Sequence, residues 1–118
     1  MANSAEAIVY GALRTLVADR CYPDVGPAGV ARPYITYQAV GGQSPNYLSN
    51  TVDIENARMQ VNVWADSRSA ARALMRSVNA ALSAAPILAT TIGAAVSNYE
   101  PDTKLYGSRG DFSIWFYP

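Results

Sequence analysis

The chain contains no histidine, and Cys21 is its only cysteine. The first absence removes the usual general base at neutral pH, the commonest metal ligand, and the Ser/His and Cys/His nucleophile pairs together. The second excludes a disulfide within the chain and a thiolate cluster for zinc. With no histidine to activate it, Cys21 reads as a small buried or half-buried thiol. The carboxylates offer no replacement site: Asp53 and Glu55 precede a strand, Asp66 reads as a helix cap, and Asp102 and Asp111 flank a turn. The expectation is therefore no catalytic residue, no metal and no cofactor. Charge of one sign is also missing. Nine basic and nine acidic residues cancel to a formal net charge of zero, which argues against a broad electrostatic footprint for nucleic acid and leaves only local patches. No apolar run approaches the roughly 20 residues that cross a bilayer. The segment from Met1 to Leu16 has Glu6 among its apolar residues and no basic leader. A soluble chain made in the cytosol, without a secretory signal and without membrane contact, is expected.

What is present is apolar patterning. Half of the 118 residues are hydrophobic, enough for one compact core, so residues 1–118 are read as one domain. From Ala57 the residues alternate strictly: Ala57, Met59, Val61 and Val63 fall on one side of an extended chain, Arg58, Gln60, Asn62 and Trp64 on the other. After Ala65 the period changes to 3.6. Asp66 and Ser67 are N-cap types, and the spacing predicts a helix over 67–84, stopped by Pro86, with Ala71, Leu74, Val78, Ala81 and Leu82 on its apolar face. An earlier helix is predicted from Asn3 or Ser4 to about Asp19, with a stripe of Ile8, Val9, Ala12, Leu13, Leu16 and Val17. Cys21 to Arg32 carries two prolines and two glycines and reads as a connector, with room for a short edge strand near Val25.

Pro33–Val40 reads as a strand, Ala94–Tyr99 as another, and Asp111–Tyr117 as the last, with Phe112, Ile114 and Phe116 turned to the helices and Ser113, Trp115 and Tyr117 turned away. Gly107-Ser108-Arg109-Gly110 superficially matches a nucleic-acid-binding GxxG loop, but it leads into a strand and reads as a glycine turn. The predicted order is helix, strand, strand, helix, strand, strand. That gives an α+β two-layer sandwich with an antiparallel or mixed four-stranded sheet and both helices on one face.

Three surface features leave alternatives open. The loop 41–51 is either a solvated hairpin tip or an arm that orders against a neighbouring subunit. Arg68, Arg72 and Arg76 repeat every fourth residue beside the apolar stripe of the second helix. They are either an ordinary charged solvent face or a ridge for phosphates or a partner's carboxylates. Trp64, Trp115 and Tyr117 on the face away from the helices either pair across strands or mark a partner surface.

Pro33-Tyr34-Ile35, the strand Met59-Gln60-Val61-Asn62-Val63-Trp64-Ala65 running into an alanine-rich helix, Tyr99 with Asp102-Thr103, Leu105-Tyr106 and Asp111-Phe112 together resemble the tail-completion, or tail-terminator, proteins of long-tailed bacteriophages. The resemblance spans nearly the whole chain and keeps the order of its segments. It implies a non-enzymatic virion protein that needs no cofactor. Such a protein forms a homo-oligomeric ring, usually of six subunits, at the head-proximal end of the tail. The ring stops polymerisation of the tail tube and presents a surface to the head connector. The implied partners are the protein itself, the major tail tube protein and the head connector or head-completion protein, with DNA passing through the ring without sequence-specific binding. The implied location is the virion, after synthesis in the bacterial cytoplasm. A head-to-tail ring needs two different complementary patches on each subunit. The candidate contacts are Gln43, Asn46, Tyr47 and Leu48 in the first loop and Asp102, Lys104, Tyr106 and Arg109 in the second. Trp64, Trp115 and Tyr117 are the candidate apolar anchors, and Arg68, Arg72 and Arg76 form a charged ridge. A head-completion protein of the same particle, and a small ligand- or peptide-binding module with a pocket over Trp64 and Trp115, are the alternatives.

Overall fold

A computed structural model describes residues 4–43 and 54–118. Helix α1 spans Ala5–Leu13 and tightens into a 3₁₀ turn, Arg14–Val17. Strands β1 (Cys21–Pro23), β2 (Tyr34–Ala39) and β3 (Glu55–Ala65) follow, then helix α2 (Arg68–Ser83) and strands β4 (Thr90–Glu100) and β5 (Leu105–Phe116). The sheet order is β1-β2-β3-β5-β4, antiparallel throughout except for the parallel pair β1–β2. Both helices pack on one face, so the α+β two-layer reading holds, with a mixed sheet of five strands where four were expected.

The helices start where the caps predict. Ser4 Oγ accepts the Ala7 N–H at 3.1 Å, and Ser67 Oγ accepts the Ala70 N–H at 3.1 Å. Each such cap contributes about 1 kcal/mol. Asp66 is not the cap. It lies one residue too early to reach the first-turn amides and instead pairs with Arg32 at 3.0 Å. The alternation of β3 puts Ala57, Met59, Val61, Val63 and Ala65 under the helices, where Phe112 and Ile114 of β5 join Val9, Leu13, Ala71, Val78 and Leu82.

Three strand expectations need correction. The extra strand is not at Val25, which is 78% exposed, but at Cys21–Pro23, where Cys21 turns inward beside Ile35. A three-residue strand is too short to show a period. The strand read from Ala94 begins earlier, at Thr90. Gly93 has φ +74°, and Ile92 to Val96 spans four residue steps on β4 where Asp111 to Arg109 spans two on β5. That bulge breaks the pattern a reader of sequence looks for. Last, Gly107-Ser108-Arg109-Gly110 is no turn but the middle of β5, and the real turn is the four residues Pro101–Lys104. Packing demands a glycine at 107, where a Cβ would clash with Asn98 Oδ1 and sit 2.9 Å from the Trp64 ring, and makes Gly110 a close fit, its Cβ position 3.3 Å from the Met75 sulfur.

Cys21 is 3% exposed, and burial pushes its thiol up to about 11 from an ordinary value of 9.0. The unfolded chain would therefore release this proton near pH 9 while the folded chain keeps it, so folding loses stability as pH rises from about 9 to about 11. Urea midpoints of the wild type and Cys21→Ala, compared across that window, should show the wild type falling relative to the variant. Phe112→Ala, which empties the centre of the core, should cost about 3–5 kcal/mol in the same assay.

Candidate functional site

The outer face of the sheet, away from the helices, divides into three zones. At one end Trp64 stacks on Tyr34 with ring centroids 6.4 Å apart, Tyr22 meets Tyr34 edge-on, and the Trp64 ring N–H donates to Thr36 Oγ1 at 3.3 Å. The connector folds over this cluster: Gly26 lies so close to the Tyr34 ring that a Cβ there would stand 2.8 Å from it. Trp64 is thus half-buried by its own chain. The middle zone is polar. Arg58 donates through Nε and Nη2 to Asp111 Oδ2 at 2.9 and 2.6 Å, and Asn56 Nδ2 donates to Ser113 Oγ at 2.9 Å. At the far end Trp115 and Tyr117 are exposed, at 42% and 64%.

Trp64 and Trp115 therefore share a face but not a site. Trp115 lies opposite Asn56, eight residues along β3 from Trp64, or roughly 26 Å at about 3.3 Å per residue. A single pocket over both rings, as the ligand-binding reading required, does not exist.

The loop candidates separate similarly. Gln43 is held by its backbone N–H donating to Asn56 Oδ1 at 2.8 Å, and Asn46, Tyr47 and Leu48 lie outside the described residues. Asp102 and Lys104 are exposed in the β4–β5 turn. Tyr106 and Arg109 are not loop residues, because β5 begins at Leu105. Tyr106 is half-buried on the helix side, in a tilted contact with Tyr99 at 4.8 Å and under the Arg68 guanidinium at 5.4 Å. Arg109 is exposed on the outer face opposite Asn62.

The arginine ridge forms the most built feature of the surface. α2 covers β3 and β5 and leaves β4 open, so a cleft of ≈ 270 Å³ runs between the helix and the edge strand. Arg72, Met75, Arg76 and Asn79 form one wall, Ala95, Ser97 and Ser108 the other. Among the described residues the ion pairs are Arg14–Asp19, Arg32–Asp66 and Arg58–Asp111, so none of the three ridge arginines is neutralised there. Arg68 Nη1 is buried without a hydrogen-bond partner among the described residues. The sequence reading missed this cleft because its second wall depends on where β4 lies. It also missed Arg32, which donates to Asp66 and to the Thr103 carbonyl at 2.5 Å and ties the connector to the β4–β5 turn.

The described surface thus combines arginines without ion-pair partners, an edge strand and exposed aromatics. The chain belongs to the family Tail completion protein gp17, whose model matches residues 9–117. It is a structural protein of a phage-type tail. A chain of a native gene transfer agent (GTA) virion particle shares the fold, with a TM-score of 0.57 over 98% of this chain and 96% of that one at 17% identity. No curated protein matches the sequence.

The fit of Trp64 over Gly107 can be tested spectroscopically. In a Trp115→Phe background, Gly107→Val should push the indole off the sheet, red-shift the remaining tryptophan emission and lower the melting temperature.

Proposed function

We propose that this chain caps the head-proximal end of a tail tube as a homo-oligomeric ring, stops tube polymerisation and presents the surface to which the head connector joins. The family match over residues 9–117 carries this reading. The relative of like fold, itself part of a GTA virion particle, supports a place in the particle. The chain's own surface supports an assembly role. β4 is an eleven-residue edge strand with exposed residues along its length and no charged side chain from Thr90 to Tyr99. Edge strands of solitary domains are ordinarily shortened, covered, bulged or guarded by charge, and among the described residues β4 has the bulge between Ile92 and Val96 but no guarding charge before Glu100.

The role is mechanical, and no catalytic step or cofactor enters it. A subunit works by fit: one surface seats on the last ring of the tube, another meets its neighbours, and a third is offered to the connector. Adding a subunit of a different kind to the growing end removes the template for the next tube ring. Head-to-tail contacts that close by rotation fix the number of copies.

Deleting the gene should give overlong, headless tails in electron micrographs, restored to uniform length by supplying the chain in trans. Tails of normal length beside unjoined heads would instead assign the chain to the head side of the joint.

A further inference from the structure

The charges of the helix layer are sorted by sheet edge. The ridge Arg68, Arg72 and Arg76 borders β4, and the cleft it overhangs is walled by Met, Asn, Ala and Ser with no carboxylate. The opposite edge is β1. There α1 lies against β1 and β2, and the two acids Glu6 and Asp24 stand exposed without an ion pair among the described residues. Asp24 is tied to β2, its N–H donating to the Tyr37 carbonyl at 2.9 Å, and Glu6 stands on α1, which packs on the same strand. Of the basic residues near them in sequence, Arg14 is already neutralised by Asp19 at 3.2 Å. Arg20 donates its Nε–H to the Pro33 carbonyl at 2.9 Å and keeps its charge, so this flank has two unpaired acids against one unpaired cation among the described residues. Five strands put the two edges roughly 19 Å apart, so one subunit carries an unpaired cationic cleft on one flank and a net anionic patch on the other.

Two unlike patches on opposite flanks are the requirement for a head-to-tail contact, and like patches facing each other would repel. We infer that a second copy of this chain docks through its Glu6/Asp24 flank onto the Arg72/Arg76 cleft between α2 and β4. This contact rests on the ring reading above and identifies which surfaces close the ring. The same docking covers the open edge of β4 and brings carboxylates to the side of α2 where Arg68 Nη1 has no hydrogen-bond partner among the described residues.

Reversing one flank, with Arg72→Glu plus Arg76→Glu or with Glu6→Arg plus Asp24→Arg, should weaken subunit association by about 30-fold or more, as expected for a desolvated charge pair broken on one side. All four positions are exposed, so circular dichroism should stay at the wild-type signal; Asp24 has φ +64°, so melting temperature and association of the Asp24→Arg variants are read against Asp24→Gln, which carries the same backbone cost without a reversed charge. Combining the two reversals in one chain restores the pairing with opposite polarity and should recover ring formation and tail length. A second readout is covalent: Asp24→Cys with Arg76→Cys, in a Cys21→Ala background and assembled on tails, should give a ladder of cross-linked subunits under oxidation. Reversals that leave rings and tail length untouched, or losses that the combined variant does not recover, would overturn this contact while the ring reading stands. Normal tails from the deletion strain would remove the ring reading itself.

Discussion

All eleven residues of β3 pair with β5, and every second pair faces the helices. This ladder is the constraint on which the rest depends. Its helix side supplies Met59, Val61, Val63, Phe112 and Ile114, all 2% exposed or less, and both helices are positioned by covering that surface. Apolar burial of this kind contributes about 25 cal/mol per Å². The outer side of the same ladder need not be apolar, which frees it for the Arg58–Asp111 pair and the aromatic cluster at Trp64. The two glycines of β5 let two bulky side chains approach its backbone from opposite sides, the Trp64 indole on the outside and Met75 of α2 on the inside. One strand thus sets the spacing of both layers.

The fold was legible where a side chain's environment repeats with a fixed period. β3 and α2 are long and one-sided, and their caps and breaks are chemical signals. Legibility failed where structure is set by a neighbour. Nothing local marks Cys21–Pro23 as strand, because its hydrogen bonds come from β2. Gly107 and Gly110 look like turn residues until the rings and sulfur above them are known. The functional surfaces divide in the same way. The arginine ridge follows from helical spacing alone, whereas the cleft beneath it needs the position of β4. Trp64 reads as an exposed anchor in sequence, but a connector of irregular structure folds over its stacking partner.

The charge arrangement explains a composition that looks featureless. A formal net charge of zero conceals an uneven distribution, with Arg72 and Arg76 beside the cleft at β4 and the acids Glu6 and Asp24 outnumbering the unpaired Arg20 beside β1 among the described residues. Such a layout gives little long-range pull on a polyanion such as DNA. In the ring proposed above it orients a neighbour at contact, where two subunits turned the same way attract and two turned face to face repel.

The bulge in β4 has a further consequence. Its excess over β5 is two residues, an even number, so Ile92 and Val96 both remain on the outer face and the inner wall of the cleft keeps its phase. The backbone beside it, however, turns through Gly93 at a positive φ, and the outward-facing amides no longer form one continuous row. A foreign strand could match one half of this edge but not run past the break. An edge of this kind is itself unsuited to endless strand addition.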